Sequence, residues 1–285
     1  MIRSFKAELL KLQRPAVLYG ATGAMLGFAL LATVLTFATA TSATTAAASP
    51  VGGAALGSTL GQLGQPGGLT RGFTIAAGFI GLLVFVLFTT NMTSEYGLGT
   101  IRVLLTRQPR RARLLAGKLL ALLAFVAALL FAAELLSAAA AIALAHYRDV
   151  STADWFTADG MRHLAGDYAN AVLTATVFGT VGISLGVFCR STPIALGIGL
   201  AWLGPLEHIL QLSWSEAARW FPGLVFDAVA SGGTTITTYQ RALVTALTYA
   251  ALALTAASTL SVKGSVTGSV PVRANARYCL ISARR

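Results

Sequence analysis

Residues 114–145 read LLAGKLLALLAFVAALLFAAELLSAAAAIALA, a run interrupted by only two charges, Lys118 and Glu134. As one helix, these 32 residues would extend about 48 Å, well beyond a hydrocarbon core about 30 Å thick. The run therefore predicts a membrane-crossing helix that tilts or projects from the bilayer at one end.

Working outward, five further apolar runs of spanning length appear: Pro15 to Ala40, Phe73 to Thr90, Ala169 to Cys189, Pro193 to Leu212 and Ala242 to Val262. The first is too long for a signal-peptide core and is expected to be retained. Only Arg190, Ser191 and Thr192 separate the fourth and fifth spans, which predicts a tight hairpin. Hydrophobic residues form 55% of the chain and charged residues 11%, a balance that makes the bilayer its solvent. The formal charge of +11 is confined to short segments between apolar runs, which argues against nucleic acid as the partner.

The flanks complete an all-α membrane fold. Residues Met1 to Arg14 place Ile2, Phe5, Leu9 and Leu12 on one helical face and Arg3, Glu8, Lys11 and Arg14 on the other. This is the pattern of an interfacial helix, although a plain basic flank is the alternative. Thr41 to Gly72 is rich in Ala, Gly, Ser and Thr, with Arg71 its only charge, and reads as a flexible loop. Ser213 to Arg241 mixes Trp214, Trp220 and Phe221 with Glu216, Arg219 and Asp227 around a Pro222-Gly223 break. Aromatics among charges suit the interface, so this segment is expected to form two short helices dipping partly into the bilayer. The tail after Val262, residues 263–285, is basic and lacks apolar periodicity.

Sixteen Lys and Arg residues fall on the side of the termini and five on the other. The positive-inside rule then predicts a multi-pass cell-membrane protein with both termini in the cytoplasm. Cys189 and Cys279 fall on that reducing side, and no disulfide or metal site is expected of them.

No catalytic constellation is present. The sequence contains no His-Glu-x-x-His, and its three histidines are dispersed. The nearest approach to a phosphate-binding loop, Ala112 to Leu119, lacks the first glycine and the magnesium-holding hydroxyl. The chain is expected not to be an enzyme and to bind no cofactor.

The loop after the second span carries the most information. From Asn91 to Lys118 it contains a short helix bounded by glycine and proline, with Ile101, Leu104 and Leu105 on one face. Either that face docks a partner or the loop is a basic flank. The segment resembles the signature of ABC-2-type transporter permeases, in which a Glu-x-x-x-Gly-Thr-x-Arg core precedes a Leu-Leu, a Pro, a basic pair and a Lys. Here these are Glu95, Gly99, Thr100, Arg102, Leu104, Leu105, Pro109, Arg110, Arg111 and Lys118. The six-span plan resembles that family too, with an elbow helix before it and a partly re-entrant extracellular segment before the last span. The Thr41 to Gly72 loop and the tail are longer than is usual there.

The resemblance implies the membrane subunit of an ATP-driven exporter. Two permeases, alike or related, would assemble with two copies of a separate cytoplasmic ATPase that binds ATP and Mg. The coupling helix would seat in that ATPase, with Glu95, Thr100 and Arg102 facing it or the elbow helix and Ile101 and Leu104 packing at the contact. The cargo would be an amphipathic or hydrophobic compound such as a drug, peptide antibiotic or lipid. A secondary transporter is the alternative, as is a membrane anchor or sensor without transport.

Charges within spans are costly and mark further candidates. Glu134 either lines a path or serves structure, and Glu207 and His208 follow a Gly204-Pro205 helix break. Thr245, Thr248 and Thr255 are expected to bond to carbonyls of their own helix. A path between copies, formed by the second and fifth spans, would draw on Phe79 and Leu83 and on close approach at Gly197 and Gly199.

Overall fold

A computed structural model describes residues 15–41, 58–97 and 111–263. The expected interfacial helix, the coupling segment 98–110 and the tail from 264 lie outside the described residues. The described chain is helical throughout, its one β feature being an isolated bridge between Thr41 and Thr59. The helices are α1 (Pro15–Ala38), α2 (Leu60–Leu63), α3 (Arg71–Gly97), α4 (Arg111–Tyr147) and α5 (Ala158–Cys189). They continue as α6 (Thr192–Ala201), α7 (Glu207–Ser213), α8 (Pro222–Ala230) and α9 (Tyr239–Lys263). Six helical segments are long and apolar enough to cross a membrane: α1, α3, α4, α5, the continuous α6–α7 rod, and α9. This is the architecture of a multi-pass membrane protein.

Several helices exceed their apolar runs. The second span was expected to end at Thr90, yet α3 continues to Gly97 and carries Glu95 on its last turns. The fourth was expected from Ala169, yet α5 begins at Ala158, where the Thr157 hydroxyl accepts the Gly160 N–H at 3.3 Å and caps the first turn. Between α6 and α7 the rod widens into a π-helical segment, Trp202–Leu206, that contains Pro205. Proline lacks the N–H the helix needs there, and a wider turn absorbs the defect without ending the rod.

α3 and α5 form the centre, with over half of each spanning window buried. They approach through glycines set against aromatic rings. A Cβ on Gly81 of α3 would lie 2.5 Å from the Phe178 ring of α5, and one on Gly179 would lie 2.4 Å from the Phe88 ring. α1 packs on α3 and α4, where the Thr33 and Ser137 hydroxyls meet at 2.6 Å. α8 is buried along most of its length among α3, α5 and α9, with Phe226 and Phe178 rings 5.0 Å apart edge to face.

The two ends of the bundle can be named by their residues. At the Glu95 end, α3 finishes, α4 begins and the α5–α6 hairpin turns. At the Trp155 end, the last part of the expected Thr41 to Gly72 loop is ordered rather than featureless. Thr59 and Gln62 form a capping box for α2, and buried Leu63 packs with Phe37 and Trp155. The Trp155 indole donates to the Leu63 carbonyl at 2.9 Å, and Arg148 donates to that of Ala40 at 2.6 Å. Sparse leucines found a core here because a tryptophan from another loop completes it.

Candidate functional site

The best-defined polar site joins four helix ends at the Glu95 end. Glu95 on the last turns of α3 meets Lys118 near the start of α4, Nζ to Oε1 2.7 Å, with side chains 9% and 4% exposed. Two charges withdrawn from water this far stabilise a structure only together, and losing either partner alone costs about 3–5 kcal/mol. Two residues before Glu95, the Thr93 hydroxyl meets that of Thr192, at the start of α6, at 2.7 Å. Arg190 occupies the left-handed C-cap of α5 (φ 52°), its N–H bonded to the Gly186 carbonyl at 3.0 Å. Its guanidinium stands 5.8 Å from the Tyr96 ring centroid, a cation–π contact. The end of α3 is thus tied to α4, α5 and α6 at once.

The elbow helix and the partner toward which the resemblance directs Glu95 lie outside the described residues. The Glu95 carboxylate turns into the bundle toward Lys118, the last residue of the same motif. Gly99, Thr100, Ile101, Arg102 and Leu104 lie outside the described residues.

Glu134 lies within α4 and is 3% exposed, and its Oε1 meets no hydrogen-bond donor among the described residues. Asp167 of α5 is close enough for the two charges to interact, and Arg71 and His163 lie in turn within reach of Asp167. The Thr70 hydroxyl donates to Asp167 at 2.5 Å.

Glu207 and His208 are brought together with Asp227, a residue that sequence reasoning did not link to them. Glu207 is fully buried, and its Oε2 accepts the Leu224 backbone N–H at 3.1 Å. It therefore caps α8 from a different helix, placing negative charge where the helix dipole favours it. His208 Nδ1 lies 2.7 Å from the Gly204 carbonyl, and Nε2 lies 3.3 Å from Asp227 Oδ2. Both contacts are satisfied when both nitrogens carry protons, or when Asp227 supplies one.

The path candidates separate. Phe79 is 56% exposed and stacks on Phe28 of α1, ring centroids 6.2 Å apart, while Leu83 is half-buried against the central core. Gly197 faces open space, whereas a Cβ on Gly199 would lie 2.1 Å from the Phe85 ring. Gly199 is thus an internal contact of α6 with α3. The hydroxyls of Thr245, Thr248 and Thr255 bond to carbonyls of Arg241, Val244 and Leu252 in α9. Among the described residues, no group of three or more His, Cys, Asp or Glu side chains could hold a metal ion.

A family profile described as "Protein of unknown function (DUF2705)" matches residues 64–257, from the α2–α3 connection into α9, and the chain belongs to that family. No curated protein and no solved structure matches the chain.

Proposed function

We propose that this family member is the permease subunit of an ATP-driven exporter resembling the ABC-2 type, carrying an amphipathic or hydrophobic compound out of the cytoplasm. The observation that carries the reading is the buried Glu95–Lys118 pair. These residues open and close the motif that carries the resemblance, and their pairing ties the end of α3 to the start of α4. Nucleotide-driven motion delivered to a junction of this kind passes to whole helices as a rigid-body tilt.

In this reading the Glu95 end faces the cytoplasm, where the basic residues concentrate, and α8 is the re-entrant element beneath the outer surface. Hydrolysis belongs to a separate ATPase, present in two copies with its own ATP and Mg, and two permeases form the path. The outward strip Ile194, Ile198 and Trp202 of the α6–α7 rod is apolar, as a face against lipid or a second copy requires.

The test is purification of the tagged full chain from its native membrane, followed by identification of co-purifying subunits and measurement of ATP turnover in proteoliposomes. A stoichiometric P-loop subunit whose turnover depends on the chain is the expected result. A chain that purifies without one, and that adds nothing to ATP turnover, would remove the reading.

A further inference from the structure

We propose that Glu134 and Asp167 form a binding site for a singly charged cation, a proton or a sodium ion, in the half of the bundle nearest Trp155. The inference does not depend on the exporter reading and rests on an account of donors around a buried carboxylate.

Oε1 of Glu134 meets no donor among the described residues, and the hydroxyls nearest to it in sequence or on α5 are engaged elsewhere. On its own face of α4, Ser137 meets the Thr33 hydroxyl at 2.6 Å, and Thr33 donates to the Ala29 carbonyl at 2.8 Å, so the Ser137 proton is committed to Thr33. The Tyr168 hydroxyl donates to the Ala127 carbonyl at 3.1 Å, and that of Thr70 to Asp167 at 2.5 Å. Lys118 is held by Glu95, and Arg71 is exposed. Oε1 of Glu134 is left buried without a hydrogen-bond donor among the described residues, beside a second carboxylate. A buried carboxylate in this position acquires either a proton or a counter-ion.

The occupant carries one charge rather than two. Two carboxylates supply the charge of the site, and among the described residues no group of three or more His, Cys, Asp or Glu side chains could hold a metal ion. Leu130, Val126 and Leu122, spaced four residues apart along α4 between Glu134 and the Glu95 end, are all buried and apolar. Exchange therefore takes place on the side of Asp167, His163 and Arg71. The charged neighbour of Glu134 is Asp167 from α5, and those of Asp167 are His163 from α5 and Arg71 from α3; from α1, Thr33 meets Ser137 one turn along α4 from Glu134.

The experiment is infrared difference spectroscopy of the carboxyl stretch on the full chain in lipid nanodiscs, with thermal unfolding followed in parallel. One arm changes pH over about 5 to 9 in potassium, and the other replaces potassium by sodium at fixed pH. A protonated-carboxyl band that follows pH, lost in Glu134→Gln and shifted in Asp167→Asn, identifies the proton. Loss of that band with a rise in unfolding temperature on adding sodium, both absent in Glu134→Gln, identifies sodium. Glu207→Gln, which alters the other buried carboxylate with an oxygen lacking a donor, should leave either response intact. If Glu134→Gln fails to fold, the Asp167→Asn shift carries the test. A band indifferent to pH and to sodium, or responses that persist in both site variants, would overturn the proposal.

Discussion

The Glu207 carboxylate accepts the Leu224 N–H at 3.1 Å, so the first turn of α8 is capped by a side chain from α7. The residue in the N-cap position, Phe221, makes no side-chain cap of its own. Gly223 makes room for this contact, because a Cβ there would lie 2.5 Å from the Leu203 carbonyl oxygen and 2.8 Å from Glu207 Oε2. Glu207→Ala should therefore lower stability by about 1–3 kcal/mol, the cost of a lost cap with a buried donor left unpaired. Glu207→Gln, which keeps an acceptor, should lose less. Thermal unfolding in detergent checks the order, and equal losses would show that α8 does not depend on this cap.

At the opposite end, neutralising one member of the Glu95–Lys118 pair should be worse than neutralising both. Glu95→Gln or Lys118→Met removes one charge of a buried pair, at about 3–5 kcal/mol, whereas the double variant replaces the pair by uncharged groups. A double-mutant cycle in unfolding free energy measures this. Additive losses would mean that the two side chains are not coupled.

The two glycines of α6 should respond oppositely to added bulk. Gly197→Leu meets open space, while Gly199→Leu would drive into Phe85 and Leu185. Overpacking of that kind costs about 1–3 kcal/mol or more. Stability of the purified chain separates the two effects from transport: Gly199→Leu should destabilise it and Gly197→Leu should not. If Gly197→Leu instead blocks export from a stable protein, that face belongs to the path or to a partner contact.

Orientation can be read by labelling in intact cells. With Cys189 replaced by serine, a cysteine at exposed Thr235 should react with a membrane-impermeant reagent while native Cys279 stays protected until lysis. Ser58, although in the same outer region, is 1% exposed and would be a misleading probe. The reverse pattern would invert the topology deduced from the basic residues.

The spanning helices were legible because bilayer thickness imposes a run length that composition alone reveals. Their ends were not, since polar turns such as 158–168 and 91–97 prolong a helix without adding apolar residues. The Thr157 cap was a readable signal for the first of these. The approach of Asp227 to His208 was beyond reach, because it arises only when α8 folds back into the bundle. The pairing of Glu95 with Lys118 was likewise out of reach, because the two stand at opposite ends of the motif and meet only when α3 and α4 pack. The Leu63–Trp155 contact joins two loops with no shared pattern, so a loop poor in apolar residues read as featureless.

The reciprocal setting of glycine against phenylalanine between α3 and α5 restricts how the protein can move. Gly81 receives Phe178, while Phe88 lies against Gly179 and Phe85 against Gly182. The two helices are keyed like a shaft and its collar, and a slip of one turn, about 5.4 Å, would set side chains where only hydrogen fits. Sliding between them is closed off, so any working stroke must carry this pair as one piece. The give in the structure then falls to the thinly packed α9 and to the π-helical joint of the α6–α7 rod.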